Sequence, residues 1–344
     1  MEDIVRTHVA LFAGLGGFIA SCDRAGYKTI FATDIEKHCV QTIKHTFPDV
    51  PVRQEDITRL SLAKEIGVNQ VVDLLSAGFP CQSFSTAGTN LGFDDERGKL
   101  FFEIPRLIKE LTNPPKVVLL ENVPNLKIFD NGSRLQVVIH ELRLLGYWVS
   151  DSQAVILKSR DVSGTPQNRD RLYIIAYHSS YFKRNYFQQK NIIPNPKPDL
   201  QSFLNLDEKQ DEGLYLDKKS KYFEMINQSV AKNGTERLYQ IRRIGVRACP
   251  PNTCPTLTAN MGGGGHNVPF VKDKWGIRRL SVSECLRMQG YNDTEISFPE
   301  SIPRTARYTM IGNAIHAGTV EKVIRNISFD RERVSNDRMA LPAQ

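Results

Sequence analysis

The sequence of 344 residues predicts the α/β class: a mostly parallel sheet flanked by helices, with a smaller, irregular second domain. Three observations carry this expectation. Apolar runs bounded by turn residues alternate with amphipathic helical patterns through the first half of the chain, as parallel strands joined by right-handed crossovers do. Glycines and acids fall at the carboxyl ends of the apolar runs, where open α/β sheets bind ligands. Near residue 180 the alternation stops and polar, proline-rich sequence takes over.

Taken in order, HVALFAG (8–14) reads as a buried strand, and GGFIASCDRAG as a helix ended by Gly26. KTIFATD (28–34) is a second strand and EKHCVQTIKHTF a second helix. VVDLLSAG (71–78) and KVVLLEN (116–122) are further apolar runs closed by turn residues, and SRLQVVIHELRLLG (133–146) has helical spacing. Residues 181–235 are rich in Asn, Gln and Lys and include NIIPNPKPDL. ERLYQIRRIGVR (236–247) holds four arginines and one acid, and PTLTANMGGGGHN (255–267) four consecutive glycines. Helical patterns return in SVSECLRMQG and in NAIHAGTVEKVIRNI (313–327). The expected organisation is a large domain of residues 1–180 completed by 305–335, a second domain of 181–271 and a hinge segment of 272–304.

Composition narrows the function classes. No run of ~18 apolar residues occurs, so no membrane span is expected. MEDIVRTHV carries early acids and no apolar core, unlike a secretory signal. The six cysteines (Cys22, Cys39, Cys81, Cys249, Cys254, Cys285) are scattered without a C-x-x-C pair, which argues against a metal site or disulfide framework and for a reducing compartment. The net charge of +7 speaks of solubility unless it clusters with other signals.

FAGLGG (12–17) joins the first strand to the first helix, and its glycines allow a tight turn and close backbone approach to a ligand. Asp34 follows about twenty residues on, at the tip of the second strand, where a carboxylate can take two ribose hydroxyls. Asp56 stands at a third strand tip and can accept from an adenine amino group. A glycine turn alone is no more than a turn; with two strand-tip acids it indicates a nucleoside cofactor. The dinucleotide fingerprint G-x-G-x-x-G has Gly14 and Gly16 here, but Ile19 in the third position, which disfavours a nicotinamide dehydrogenase. S-adenosylmethionine, a nucleoside with a charged amino-acid tail, fits at least as well.

GFPCQSFS (78–85) places Cys81 just past an apolar run, either as a small hydrophobe or as a nucleophile delivered by a strand. No histidine is near in sequence, which disfavours protease-like chemistry. ENV (121–123) puts Glu121 at the end of another strand, so thiol and carboxyl would face one cleft. A thiolate beside a carboxylic acid suits addition to a conjugated ring that is protonated as it is attacked.

With these residues in view, the chain resembles the DNA (cytosine-5)-methyltransferases, over nearly its whole length and in family order. FAGLGG is similar to the cofactor motif, GFPCQSFS to the Pro-Cys motif and ENV to the glutamate motif. QNRDRLYIIA (167–176) resembles the Q-x-R-x-R motif, RRLSVSECLRMQGY (278–291) the penultimate motif and GNAI (312–315) the final one. The segment after Cys81, SFSTAGTNLGFDDERGKLFFE, is similar to the mobile catalytic loop. The resemblance implies a Rossmann-like, S-adenosylmethionine-dependent large domain with an irregular target-recognition domain. It implies that Cys81 attacks C6 of a cytosine flipped out of the duplex. Glu121, held protonated in a dry pocket, donates to N3, and Arg169 and Arg171 supply positive charge near the ring.

The same resemblance assigns Phe12, Ala13, Gly14, Gly16, Gly17, Asp34, Ile35, Asp56, Ile57, Pro80, Asn313 and Ala314 to the cofactor, which leaves as S-adenosylhomocysteine, and no metal. Ile35 stands where many members have an aromatic, and Ala314 where a serine is frequent. Ser85, Arg97, Lys99, Arg237, Arg242, Arg243, Thr256 and Leu257 are the expected DNA contacts, the last two matching a T-L signature beside the flipped base. For the loop residues Arg97 and Lys99 the plainer reading is a solvated loop. The expected partners are double-stranded DNA and, functionally, a restriction endonuclease; a monomer in a bacterial cytoplasm, associated with the nucleoid, is the simplest state. A catalytically silent DNA-binding relative and an RNA cytosine methyltransferase are the alternatives. Intact Cys81, Glu121, Arg169 and Asn313 oppose the first, and the basic region before residue 248 disfavours the second.

Overall fold

A computed structural model of the chain describes residues 5–80, 96–195, 198–242, 245–261 and 269–330. Chain order runs β1 (Arg6–Leu11), α1 (Gly17–Arg24), β2 (Tyr27–Asp34), α2 (Lys37–Thr46), β3 (Val52–Gln54), α3 (Leu62–Ile66) and β4 (Leu74–Ala77). After the short α4 (Glu96–Lys99) come α5 (Glu103–Lys109), β5 (Val117–Asn122), α6 (Asn125–Ile128), α7 (Ser133–Leu144), β6 (Tyr147–Trp148), β7 (Ala154–Lys158), α8 (Ser159–Val162) and β8 (Asp170–His178). The remainder is α9 (Lys221–Asn233), the strands β9 (Tyr239–Arg242), β10 (Gly245–Ala248), β11 (Pro269–Lys272) and β12 (Ile277–Arg279), then α10 (Val282–Met288), α11 (Arg304–Asn313) and α12 (Ala317–Arg325).

The described residues form two compact units. One comprises residues up to Leu157, Asp170–Ile193 and the chain from Val320; the other comprises Lys158–Arg169 and Pro194–Thr319.

The first unit is built on one sheet in the order β3-β2-β1-β4-β5-β8-β6, with β7 also paired to β8. From β3 to β5 every pairing is parallel, whereas β8 runs antiparallel to β5 and β6 antiparallel to β8. Central strands buried on both faces must be apolar throughout, and VVLLEN and LLSA are buried at every position. The expected strands and helices of the first half are present, and the antiparallel β8 is an addition to them. Its sequence DRLYIIAYH buries seven successive residues from Leu172, a pattern that does not disclose strand direction.

A hydrogen-bonded group of polar side chains lies inside this core. His8, fully buried in β1, reaches Thr29 Oγ1 in β2 and Ser76 Oγ in β4, each at 2.8 Å. Burial without a counter-charge lowers its pKa to about 3. The unfolded chain binds this proton near pH 6.5, so between pH 6.5 and 3 only the unfolded state is protonated and stability falls with falling pH. Unfolding in denaturant at pH 7 and pH 5 is expected to show about 2 kcal/mol of acid destabilisation from this residue. The His8→Gln protein is expected to lack that increment; an unchanged pH dependence would remove His8 as its source.

The second unit carries a smaller antiparallel sheet in the order β10-β9-β11-β12. The hairpin β9–β10 pairs Gly245 with Arg242 and Arg247 with Gln240. One sheet face packs under α9 through Ile226, Val230, Tyr239, Ile241, Phe270 and Ile277. Ser220 caps α9 by accepting from the Tyr222 amide, and Gly234, at φ 88°, ends it. β12 and α10 are tied by a fully buried guanidinium. Arg278 donates to Asp273 Oδ2 at 2.7 Å and to both Glu284 oxygens at 2.8 and 2.9 Å. Burial opposes that charge, and the two carboxylates more than offset it, holding Arg278 above its ordinary range.

Residues 304–319 group with this second unit, whereas the sequence places residues from 305 with the large domain. The reason is local packing. Gly312 lies on the backbone of the preceding loop so closely that an added Cβ would stand 2.2 Å from the Thr258 carbonyl carbon. Among the described residues no helix is long and apolar enough to cross a membrane.

Candidate active site

The glycine turn after β1 is shaped by three positive φ angles: 52° at Phe12, 56° at Gly14 and 98° at Gly16. The first is uncommon for a residue with a side chain and marks a constrained turn. A Cβ on Gly16 would meet the Phe47 ring at 2.7 Å, while the Cβ position of Gly14 has no described atom within 4 Å. The turn is thus closed towards the helices and open towards the strand ends. Ala13 donates to the Thr33 carbonyl at 2.9 Å. Gly14 N–H donates to Asp34 Oδ2 at 2.7 Å, and Glu36 N–H to Asp34 Oδ1 at 2.9 Å.

Burial pushes the Asp34 carboxyl above its usual range, with these two amides pulling the other way. Each oxygen keeps a lone pair for a further donor. Asp56 accepts from the amide and hydroxyl of Thr58 at 2.9 and 2.8 Å, which lowers its pKa.

Six of the predicted cofactor residues, Phe12, Asp34, Ile35, Asp56, Ile57 and Pro80, line one cavity, which Thr33, Glu55 and Leu100 complete. Its walls are apolar and its rim acidic, and Gly14 leaves room for a ligand beside it. These apolar walls and carboxylate acceptors fit the chemistry of an adenosine, with Phe12, Ile57 and Pro80 against the ring, Asp34 accepting from ribose hydroxyls and Asp56 from the purine amine. Ile35 is 59% exposed, a flexible aliphatic cover where an aromatic would stack. Gly16 and Gly17 are buried at the start of α1 and shape the turn.

The predicted catalytic carboxyl sits at the end of β5. Glu121 is buried, and Arg171 Nε lies 3.0 Å from its Oε1. Sheet register explains the pairing: Glu121 is opposite Tyr173, so Arg171, two residues away, projects from the same face. Next to Glu121, Asn122 Nδ2 donates to the Phe79 carbonyl at 3.2 Å. This bond holds the chain two residues before Cys81 against the end of β5. Cys81 and Ser85 lie outside the described residues, as do Arg243 and the side chain of Arg97. Lys99 is exposed on α4.

The remaining predicted residues belong to the second unit. Arg169, expected beside the substrate ring, is 2% exposed, and two of its guanidinium nitrogens donate to backbone carbonyls. Nη1 donates to Leu257 at 3.2 Å and Gly312 at 3.4 Å, and Nη2 to Ala314 at 2.6 Å. Leu257, expected to face DNA, is fully buried, so only its backbone and its neighbour Thr256 remain for that role. Thr256 donates its hydroxyl to the Asn168 carbonyl at 2.5 Å. Asn313, the last residue of α11, is exposed, and Ala314 caps that helix. Arg237 donates to the Cys249 carbonyl at 3.4 Å, and Arg242 is exposed at the end of β9. Sequence reasoning missed Asn122, whose amide joins two strand ends; its place within ENV was the only signal.

A glycine turn under acid-tipped parallel strands, beside an apolar cavity that Asp34 and Asp56 line, is the arrangement of a Rossmann-like methyltransferase that uses S-adenosylmethionine. The chain belongs to the C-5 cytosine-specific DNA methylases, whose family model matches residues 7–328. It is a DNA (cytosine-5)-methyltransferase. It is 38% identical over 327 residues to the Type II methyltransferase M.Bsp6I of Bacillus sp. (strain RFL6), covering 92% of this chain and 97% of that protein. It is 32% identical over 342 residues to the Type II methyltransferase M.HhaI of Haemophilus parahaemolyticus, covering 93% of each. In fold it is similar to the S. pombe Dnmt2 methyltransferase, with a TM-score of 0.71 at 16% identity over 93% of this chain and 97% of the other.

Proposed function

We propose that the chain methylates C5 of a cytosine flipped out of a specific duplex sequence, through a covalent bond from Cys81 Sγ to C6. The observation that supports this most is the end of β5. There Glu121 is paired with Arg171, and Asn122 holds the segment leading into Cys81. Sulfur attack on C6 forms an S–C bond and moves the ring π electrons towards N3 and C5. Glu121 gives N3 a proton as that charge builds, and Arg171 keeps the carboxyl in place. Phe12, Asp34 and Asp56 would hold the nucleoside of S-adenosylmethionine, which would supply an electrophilic methyl carbon, and Asn313 would meet its methionine end. A water takes the C5 proton, Sγ is expelled to restore the 5,6 double bond, and N3 returns its proton to Glu121.

Residues 181–271 serve as the target-recognition domain, with Arg237, Arg242, Arg243 and Thr256 at the DNA, and 272–304 as the hinge. Arg97, Lys99 and Ser85 contact phosphates near the flipped base. The chain's similarity to Type II methyltransferases favours a protective role beside a restriction endonuclease. That role belongs to a monomer working on the nucleoid in a bacterial cytoplasm.

Bisulfite sequencing of DNA from cells expressing the chain tests activity and target together. Methylation at C5 within one short sequence is expected, moving to another sequence when residues 181–271 are exchanged for those of a relative. Unmethylated DNA would refute the activity, and an unmoved target would refute the domain role.

A further inference from the structure

The second unit contains a closed ring of buried hydrogen bonds that no catalytic step requires. Gln167 and Gln289 are both fully buried. Gln167 accepts from the Leu257 amide at 3.1 Å through its carbonyl oxygen. Its amide nitrogen donates to the Met288 carbonyl at 2.9 Å and to Gln289 Oε1 at 3.0 Å. Gln289 in turn donates to the Ile311 carbonyl at 2.6 Å, in the last turn of α11. Arg169 closes the ring from the other side by bonding Leu257, Gly312 and Ala314. The backbone around Gln167 is pinned as well, since Cys254 N–H donates to the Pro166 carbonyl and Asn168 N–H to the Cys254 carbonyl, both at 2.8 Å.

Two short segments are therefore locked to each other. One carries Thr256, and the other carries Asn313. A buried polar network of this kind is rigid when every member is satisfied and costly when one is lost. A neutral amide cannot be replaced by an apolar side chain without stranding several buried groups. Gln167→Met would leave the Leu257 amide, the Met288 carbonyl and Gln289 Oε1 each short of a partner.

We propose that Gln167 and Gln289 are positioning residues that set Thr256, at the flipped base, against Asn313, at the methionine end of the cofactor. This rests on the reading of those two residues given under Proposed function. The ring touches neither ligand; it fixes the spacing between the groups that do. Misplacement of a reacting group by about 1 Å lowers turnover by roughly 10²-fold. The expected signature is thus a fall in kcat with substrate affinities largely kept.

The test uses the full chain, S-adenosylhomocysteine as cofactor probe, and duplex DNA carrying the target sequence with cytosine or 5-fluorocytosine. Turnover is read at a temperature where circular dichroism shows each variant folded. For Gln167→Met, kcat at saturating DNA is expected to fall between tenfold and a hundredfold, on the order set by a small misplacement. The rate of covalent adduct formation should fall in parallel, and S-adenosylhomocysteine affinity should stay within about threefold of wild type, because Arg169 still holds Ala314. Gln289→Met, which leaves the Ile311 carbonyl with the Ala314 amide but without its side-chain donor, is expected to weaken that affinity as well. The double variant should be no slower than the slower single one, since both break one ring. If Gln167→Met does not fold, Gln289→Met carries the test by the same readings. A folded variant with wild-type kcat and adduct rate, or losses that add in the double variant, would overturn the proposal. A wild-type protein that forms no adduct at all would instead overturn the catalytic reading beneath it.

Discussion

Cys81→Ser is expected to abolish methylation while target DNA remains bound. The argument rests on what the reaction needs. Cytosine C5 is a poor nucleophile until a thiolate has added at C6, and a serine hydroxyl has too little alkoxide at neutral pH to add in its place. In the proposed function, binding draws on other residues: Arg237, Arg242, Arg243 and Thr256 at the DNA, and the cofactor residues. The loss of turnover is expected on the order of 10⁴-fold or more, the scale at which covalent enzymes respond to removal of their nucleophile. DNA affinity, read by gel shift with S-adenosylhomocysteine present, should change by less than about tenfold, or ~1.4 kcal/mol. Turnover retained within a hundredfold would show that the reaction proceeds without sulfur addition.

The second large effect concerns stability. Arg278→Met is expected to destabilise the unit Lys158–Arg169, Pro194–Thr319 by about 3–5 kcal/mol, the usual cost of leaving buried carboxylates without their cation. Asp273 and Glu284 are as fully buried as Arg278 itself. Replacing such a cluster by apolar residues often restores stability, but here it should not. Glu284 also accepts the amides of Ser281 and Asn205, and Asp273 those of Trp275 and Gly276 with the Tyr215 hydroxyl. Removing the carboxylates would strand those donors. Hydrogen exchange is the direct readout: amides of β12 and α10 should exchange roughly 10²–10³-fold faster in the variant, with β1 and β4 unaffected. A loss below about 1 kcal/mol would mean that Arg278 contributes no net stabilisation.

How much of this was legible beforehand follows from the physics of each segment. Parallel strands buried on both faces are continuous apolar runs, so VVLLEN and LLSA could be read directly, with Glu121 near the end of the first. β8 is just as apolar, and nothing in DRLYIIAYH tells an antiparallel neighbour from a parallel one. The hairpin β9–β10 has no Asn-Gly or Asp-Gly pair to announce it, and its arginines resemble a solvated basic run. The α9 helix carried its signals, with a cap at Ser220, apolar Ile226 and Val230 four apart, and Gly234 at its end. The polar texture of its surroundings hid them.

In the site, residue identity and residue role separate. Asp34, Asp56 and Phe12 stand around one cavity as the spacing suggests. Arg169 has the chemistry to meet a ring carbonyl, and only its contacts reveal that it grips Leu257, Gly312 and Ala314. The amides of Gln167 and Gln289 carry no charge and no periodicity, so their ring exists only once the chain is folded.

The most direct test of covalent catalysis is the site of trapping. The wild-type protein is incubated with S-adenosylmethionine and a duplex carrying 5-fluorocytosine at the target, denatured and digested, and the nucleotide-bearing peptide is sequenced by mass spectrometry. The mechanism predicts a stable adduct whose added mass sits on Cys81. A chain that methylates ordinary target DNA yet forms no adduct, or forms one on another residue, would contradict it.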